Sequence, residues 1–130
     1  MNEEKNAEKK KILKFTDLDA WKEGHKLVLF IYQSTKDFPK EEVFGLVSQM
    51  RRSAVSITSN IAEGFSRRSF KDKLHFYVMA QGSLTELQNQ LLIARDIGYI
   101  TKVRFSEIAE LSVVSHKILS GLIKKTQSYS

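Results

Sequence analysis

Apolar residues recur at three- and four-residue steps in four separate stretches of the chain, which is the spacing that lines one face of an α-helix. This pattern predicts helices over about residues 17–36, 40–65, 70–97 and 102–124. The connections between these stretches are short, and short connections require neighbouring helices to run antiparallel. The predicted fold is therefore all-α, an antiparallel up-down-up-down four-helix bundle.

The second stretch has the most regular apolar row, in which steps of four and three residues alternate: Val43, Val47, Met50, Ala54, Ile57, Ile61 and Gly64. Such a heptad-like row is typical of bundle helices that cross at a shallow angle. In the first stretch the row comprises Leu18, Trp21, His25, Val28, Tyr32 and Thr35. Because Trp21, Tyr32 and Phe76 lie on apolar rows, we interpret these aromatic side chains as core rather than as stacking partners for bases.

Hydroxyl residues and glycines mark where the helices are expected to begin and end. Ser69 and Thr101 are suitable N-caps, since a hydroxyl oxygen accepts a hydrogen bond from the first turn of a helix. Gly64 and Gly98 are candidates for the left-handed residue that ends a helix. The whole chain has only six glycines and one proline, Pro39, and this scarcity of breakers favours an all-helical fold.

The chain termini differ in composition from the middle. Residues 1–14 are charged and lack apolar spacing, so we expect a disordered or fraying tail, then a bundle domain over 15–125 and a frayed end over 126–130. The first residues lack the apolar segment of a signal peptide, and the longest apolar run, residues 27–32, is too short to span a membrane. We therefore expect a cytoplasmic protein with no membrane partner.

The net charge of +6 is concentrated in one part of the chain. Between residues 51 and 73, six basic residues face two acidic ones, whereas residues 1–50 are balanced. A local excess of this size suits a phosphate backbone or an acidic protein partner, and the alternative is a solvated face that binds nothing. The candidate phosphate contacts are the basic residues at the turn between the second and third helices: Arg67, Arg68, Lys71 and Lys73.

The sequence offers little catalytic chemistry. Cysteine is absent, which excludes thiolate metal sites and a cysteine nucleophile, and there is no glycine-rich phosphate loop. A carboxylate-bridged di-iron bundle needs two Glu-x-x-His pairs and two further acidic residues, whereas this chain has one Asp-x-x-His pair. No metal or cofactor is therefore expected. One enzymatic alternative stays open: Arg68 and His75 are two helical turns apart, as in the helical ribonucleases of the HEPN group.

Polar residues form a second row on the second helix, beside the apolar one. Together with a comparable row on the third helix, they predict a structural polar network that knits helices or subunits: Gln49, Arg51, Arg52, Asn60, Glu63 and Glu86. In particular, a hydrogen bond from Arg51 or Arg52 to Glu86 would be charge-assisted and would fix the register of two helices. The alternative is that both rows are solvated faces.

Residues 15–100 resemble the four-helix-bundle proteins encoded by intervening sequences within bacterial 23S rRNA genes, also called the S23 ribosomal protein family. The strongest matching stretch, residues 48–64, reads SQMRRSAVSITSNIAEG. Shorter matches are Phe15-x-x-Leu18-x-x-Trp21, Phe38-Pro39-x-x-Glu42, Gly82-Ser83-Leu84-x-Glu86-Leu87 and Gly98-Tyr99-Ile100. Two positions depart: Thr58 stands where the family often has proline, and Lys73 where an aromatic residue is common.

The resemblance implies a bundle that assembles as a homo-oligomeric ring, typically a pentamer. It also implies a relative, the accessory protein of diversity-generating retroelements, which binds its reverse transcriptase and interacts with nucleic acid. Our interpretation is a non-enzymatic homo-oligomer that binds nucleic acid, RNA before DNA, through backbone electrostatics. An assembly or adaptor protein that docks an acidic protein partner is the alternative.

Overall fold

The computed structural model describes residues 11–130 and contains four α-helices: α1 (Asp19–Thr35), α2 (Leu46–Ser66), α3 (Phe70–Ile97) and α4 (Lys102–Ser128). Two 3₁₀ turns, Phe15–Asp17 and Lys40–Glu42, precede α1 and α2, and these 120 residues contain no strand. Each helix packs against its neighbour in the chain, and α1 also packs against α4, which closes the bundle. The all-α prediction is confirmed.

All four helices contribute fully buried side chains to one core. The largest of these are Leu27, Ile31, Met50, Ile57, Ile61, Leu84, Leu87, Leu91, Ile108 and Leu119. The predicted apolar row of α2 is buried from Val47 to Gly64. Its first member, Val43, is 48% exposed because it lies before the helix begins.

The predicted core face of α1 is wrong by a small rotation. Its buried residues are Ala20, Gly24, Leu27, Ile31 and Thr35. Trp21, His25 and Val28 are only partly buried, and Tyr32 is exposed. The 27–32 segment is apolar on nearly every side, so its pattern does not single out one face. The structure selects the face that carries Gly24, where a side chain would lie 3.1 Å from the Thr58 methyl carbon of α2.

Most of the expected helix ends are confirmed. The Ser69 hydroxyl accepts a hydrogen bond from the Asp72 N–H, and the Thr101 hydroxyl accepts one from the Arg104 N–H, both at 3.1 Å. Gly98 adopts the left-handed conformation with φ of 94°. Gly64 does not, since Gly98 is the one described residue with positive φ. Instead, Gly64 lies within α2, which ends two residues later at Ser66.

Helix α2 begins at Leu46, later than its apolar row predicts. The Glu42 carboxylate accepts hydrogen bonds from the Leu46 N–H (3.2 Å) and from the Tyr99 hydroxyl (2.9 Å). The hydrogen bond to Glu42 is also the main reason that the pKa of Tyr99 is raised. Glu42 therefore caps α2 and connects this helix to the α3–α4 connection. Phe44 lies between the 3₁₀ turn and the start of α2, and its side chain is exposed to solvent.

Helix α4 ends later than predicted. The helix continues to Ser128, and Thr126 is buried, with its hydroxyl donating to the Leu122 carbonyl at 2.8 Å. The predicted fraying over 126–130 stays a prediction; in the structure Thr126 is buried, and residues 127–130 are exposed. Residues 1–10 of the expected N-terminal tail lie outside the described part of the chain; residues 11–14 are exposed and not helical.

Candidate nucleic-acid interface

The predicted basic turn meets the C-terminal end of α4. The rings of Phe70, at the start of α3, and Tyr129, just after α4, lie 5.1 Å apart. This contact places Lys124 and Lys125 at the same end of the bundle as the α2–α3 turn. We call residues 63–73 and 122–128 the basic end; together they hold six basic residues and two acidic ones. The start of α1 lies at the same end, and residues 11–23 there hold three basic and three acidic residues, which leaves the excess of four unchanged.

The opposite end of the bundle is electrically balanced. Residues 36–42 and 95–107, which form the α1–α2 and α3–α4 connections with the adjoining turns, hold five basic and five acidic residues. Two of the basic residues there are paired: Arg95 with Asp96 at 2.8 Å, and Arg104 with Glu107 at 3.8 Å. The antiparallel topology thus separates the charge of the chain along the bundle axis.

The basic side chains of the α2–α3 turn differ in what they contact. Arg67 pairs with Glu63 at 3.2 Å, and its guanidinium lies 4.6 Å from the ring centre of Phe76. Arg68 and Lys71 are exposed and make no hydrogen bond or ion pair with another described residue. These two side chains are therefore available to a ligand, whereas Arg67 would have to share its charge with Glu63.

Lys73 contributes to the fold, unlike the other predicted phosphate contacts. Its ammonium group donates to the Phe65 carbonyl at 2.6 Å and to the Gly64 carbonyl at 3.4 Å. These carbonyls belong to the last turn of α2, where intrahelical donors run out. The Gly64 carbonyl also accepts from the Arg67 N–H at 3.2 Å, whereas the donor to the Phe65 carbonyl is Lys73. Partial burial lowers the pKa of Lys73. Lys73 stays a predicted phosphate contact, but its ammonium group also caps α2, which the other three basic side chains of the turn do not do.

Replacement of Lys73 by alanine should destabilise the protein by about 1 kcal/mol, since the Phe65 carbonyl at the end of α2 would lose its donor. Arg68→Ala removes the same charge from the same turn, yet it should change stability by less than about 0.5 kcal/mol. Urea unfolding followed by circular dichroism measures both variants. Equal stabilities for the two would contradict the capping role of Lys73.

Arg68 and His75, the pair of the ribonuclease hypothesis, do not lie on the same helix. Arg68 precedes α3, whose N-cap is Ser69, so the helical spacing that would place Arg68 and His75 on one face does not apply. The His75 ring is exposed and packs edge-on against Phe76 at 5.4 Å. Neither side chain hydrogen-bonds to the other in the described structure.

The predicted polar network exists in part, with different partners. The Arg51 guanidinium donates to the Thr35 hydroxyl at 3.0 Å and to the Tyr32 carbonyl at 3.4 Å. Arg51 therefore links α2 to α1, and it does not link α2 to Glu86 of α3. It also lies 4.6 Å from the ring centre of Tyr32. Arg51 is thus a structural residue, as expected, but the predicted bond to α3 is wrong for it.

Between α2 and α3 the observed link is a hydroxyl pair. Ser56 and Ser83 are joined at 2.9 Å, and the Asn60 amide donates to the Ser56 carbonyl at 2.8 Å. Glu63 faces Ser66 and Arg67 on its own side of α2. Beside this pair lies a cleft of about 370 Å³, which is lined by the remaining members of the predicted network: Gln49, Arg52 and Glu86. Among the described residues, neither Arg52 nor Glu86 forms an ion pair.

Sequence reasoning missed two features of the surface. Lys124 and Lys125 belong to the basic end, a placement that follows from the up-down topology once α4 is known to reach the α2–α3 turn. Phe44 is 97% exposed, although the helical pattern had placed its segment inside the second helix. The apolar pattern does not reveal this, because one oxygen of the Glu42 carboxylate caps α2 at Leu46 while the other accepts from the distant Tyr99.

Residues 11–130 contain no group of three or more histidine, cysteine, aspartate or glutamate side chains arranged to hold a metal ion. None of their helices combines the length and the apolar composition that crossing a bilayer requires.

Four helices with short connections and one shared core define the class of antiparallel four-helix-bundle proteins. Residues 16–121 match the family model of the 23S rRNA-intervening sequence protein, and the chain belongs to that family. A similar solved structure is a protein of unknown function from the S23 ribosomal protein family of Bacteroides thetaiotaomicron. The two share 22% identity with a TM-score of 0.73 over 81% of this chain and 95% of the other. A search of the curated proteins found no match.

Proposed function

We propose that this protein is a non-enzymatic homo-oligomer that binds the phosphate backbone of nucleic acid, RNA before DNA, with the basic end of its bundle. The observation that carries the proposal is the concentration of basic side chains there. Arg68, Lys71, Lys124 and Lys125 are all exposed, and within residues 11–130 none has an acidic partner. Unpaired, solvated cations at one pole of a molecule are suited to phosphates, which bind by charge more than by shape.

Two further considerations support RNA and self-association. The family description refers to intervening sequences of 23S rRNA, which makes RNA the nucleic acid to test first. The resemblance to ring-forming relatives implies several copies, with five as the expected number. A ring would repeat a modest basic patch in each subunit, and repeated weak contacts on one RNA molecule raise the overall affinity.

The test is fluorescence anisotropy of a labelled structured RNA at about 50 and about 200 mM salt, since phosphate contacts weaken steeply over that range. The variant that removes the proposed contacts is Arg68→Ala, Lys71→Ala and Lys124→Ala combined. Its log affinity should fall, and the slope against log salt should become shallower by at least about 2, one unit for each lost contact after allowance for partial occupancy.

The matched control removes three exposed lysines from the opposite end: Lys36→Ala, Lys40→Ala and Lys102→Ala. It has the same net charge as the first variant, so equal losses of affinity would show that only net charge matters. Absence of RNA binding by the wild-type protein at the lower salt would overturn the proposal. Binding to an acidic protein that persists at high salt would then favour the adaptor function.

A further inference from the structure

Phe44 is an exposed aromatic residue on a hydrogen-bonded turn. It is 97% exposed, and Val43 beside it is 48% exposed. The segment is held on both sides: the Gly45 N–H donates to the Glu42 carbonyl at 3.0 Å, and the Leu46 N–H donates to the Glu42 carboxylate. An apolar ring that stands in water on an ordered turn is typical of a surface that is covered in an assembly.

A small apolar pocket lies between α3 and α4. It has a volume of about 170 Å³ and is lined mainly by Leu91, Leu92, Phe105, Ala109 and Val113. Two polar side chains lie at its wall, and they are joined by one hydrogen bond, from the Gln88 amide to the Ser112 hydroxyl at 3.3 Å. Because the rest of the lining is apolar, an apolar side chain is the occupant that suits the pocket.

The position of Phe44 and the pocket excludes contact within one molecule. Phe44 belongs to the α1–α2 face and the pocket to the α3–α4 face, which are opposite sides of the bundle because α1 packs on α4 and α2 on α3. Both lie towards the balanced end, at the α1–α2 and α3–α4 connections. A second copy placed alongside, at the same height, therefore brings its pocket to the first copy's Phe44.

Charge favours the same arrangement over a two-fold one. Arg51 and Arg52 line the groove beside Phe44, so two copies that joined by this face would bring their guanidinium groups together. On the α3–α4 side, Glu110 lies one helical turn before Val113, and it has no ion pair among the described residues. A head-to-tail contact places Glu110 of one copy on the side that faces Arg52 of the next.

We propose that Phe44 of one subunit inserts into the α3–α4 pocket of the next, and that this head-to-tail contact builds the homo-oligomer. The inference rests on the self-association in the proposed function and assigns its surfaces. Because the two surfaces differ, each subunit uses one of each, and the assembly grows until the ring closes.

Two variants separate the surfaces. Phe44→Asp removes the inserted ring, and Val113→Asp places a charge at the pocket, so each should weaken the contact by about tenfold or more and leave monomers at micromolar concentration. A mixture of the two contains one intact Phe44 surface and one intact pocket, and it should stop at a 1:1 dimer. Size-exclusion chromatography with light scattering measures these masses.

Val78→Asp is the control, because Val78 is as exposed as Val113 (both 49%) but lies towards the basic end of α3. It should assemble as the wild type does. Unchanged circular dichroism of all variants excludes misfolding; Phe44 has almost no contacts to lose. As a test that disrupts nothing, Val43→Cys combined with Val113→Cys in this cysteine-free chain should give a ladder of covalent oligomers with a short bis-maleimide. Either cysteine alone should give none.

The outcomes separate this inference from the proposed function. If the wild type assembles and both aspartate variants assemble too, the Phe44 contact is wrong while self-association stands. If mixing the variants restores the full oligomer or nothing at all, the head-to-tail pairing is wrong. A monomeric wild type would overturn this inference and the self-association together, whereas RNA binding by the basic end is measured independently by anisotropy.

Discussion

Leu27→Ala is expected to lower the free energy of unfolding by about 3 kcal/mol, the largest effect of any change discussed for this protein. The Leu27 side chain has no exposed surface, and it lies on the face of α1 that packs into the bundle. Alanine loses the transfer free energy of the buried methyl and methylene groups. It also leaves a cavity among side chains from other helices, which cannot fully close around it.

Leu29→Ala is the matched control, because it is the same substitution two residues further along the same helix. Leu29 is 56% exposed, so its replacement should lower the free energy of unfolding by less than about 1 kcal/mol. Urea denaturation of both variants, with a common slope, measures the difference. Similar losses for Leu27 and Leu29 would contradict the observed orientation of α1 and favour a rotated helix.

Gly64→Ala is expected to destabilise the protein by about 2 to 3 kcal/mol, even though alanine favours helix formation. A β-carbon at Gly64 would lie 2.7 and 2.9 Å from two ring carbons of Tyr77 and 3.1 Å from the Phe76 Cβ. Tyr77 is 3% exposed, so its ring has little room to move. The methyl group must therefore push α2 and α3 apart at this point.

Gly82→Ala supplies the opposite expectation in the neighbouring helix. No atom lies within 4 Å of a β-carbon at Gly82, so the substitution should stabilise the protein by about 0.5 to 1 kcal/mol through helix propensity alone. Thermal and urea unfolding of the two variants should give shifts of opposite sign. A stabilising Gly64→Ala would show that the close contact with Tyr77 is absent in solution.

The contrast between these glycines shows what sequence reasoning achieves here. Gly64 and Gly98 both follow apolar rows, and both are candidates for helix C-caps. Gly98 has that role because a connection to α4 follows it directly. Gly64 is instead a packing residue, since α2 extends past it and α3 crosses at that point. A local pattern cannot distinguish the two, because the deciding atoms come from another helix.

The candidate site shows the same division. The charge excess near Arg68 and Lys71 is apparent from the sequence, because residues 51–73 hold six basic residues and two acidic ones. The separate role of Lys73 is not visible, since its carbonyl partners are eight and nine residues away across the turn. The contacts of the Lys73 ammonium with α2 give this side chain a structural role that its charge alone does not indicate.

The sequence by itself determined that this chain forms four helices in a bundle, because apolar periodicity and capping residues act over one or two helical turns. The tertiary structure alone decided which face of α1 is buried, which cations meet at the basic end and why Phe44 stands in solvent. Each of these depends on side chains far apart in the chain, such as Tyr99 with Glu42 or Tyr129 with Phe70. Packing of different helices brings such pairs together, whereas the periodicity of one helix depends only on residues within that helix.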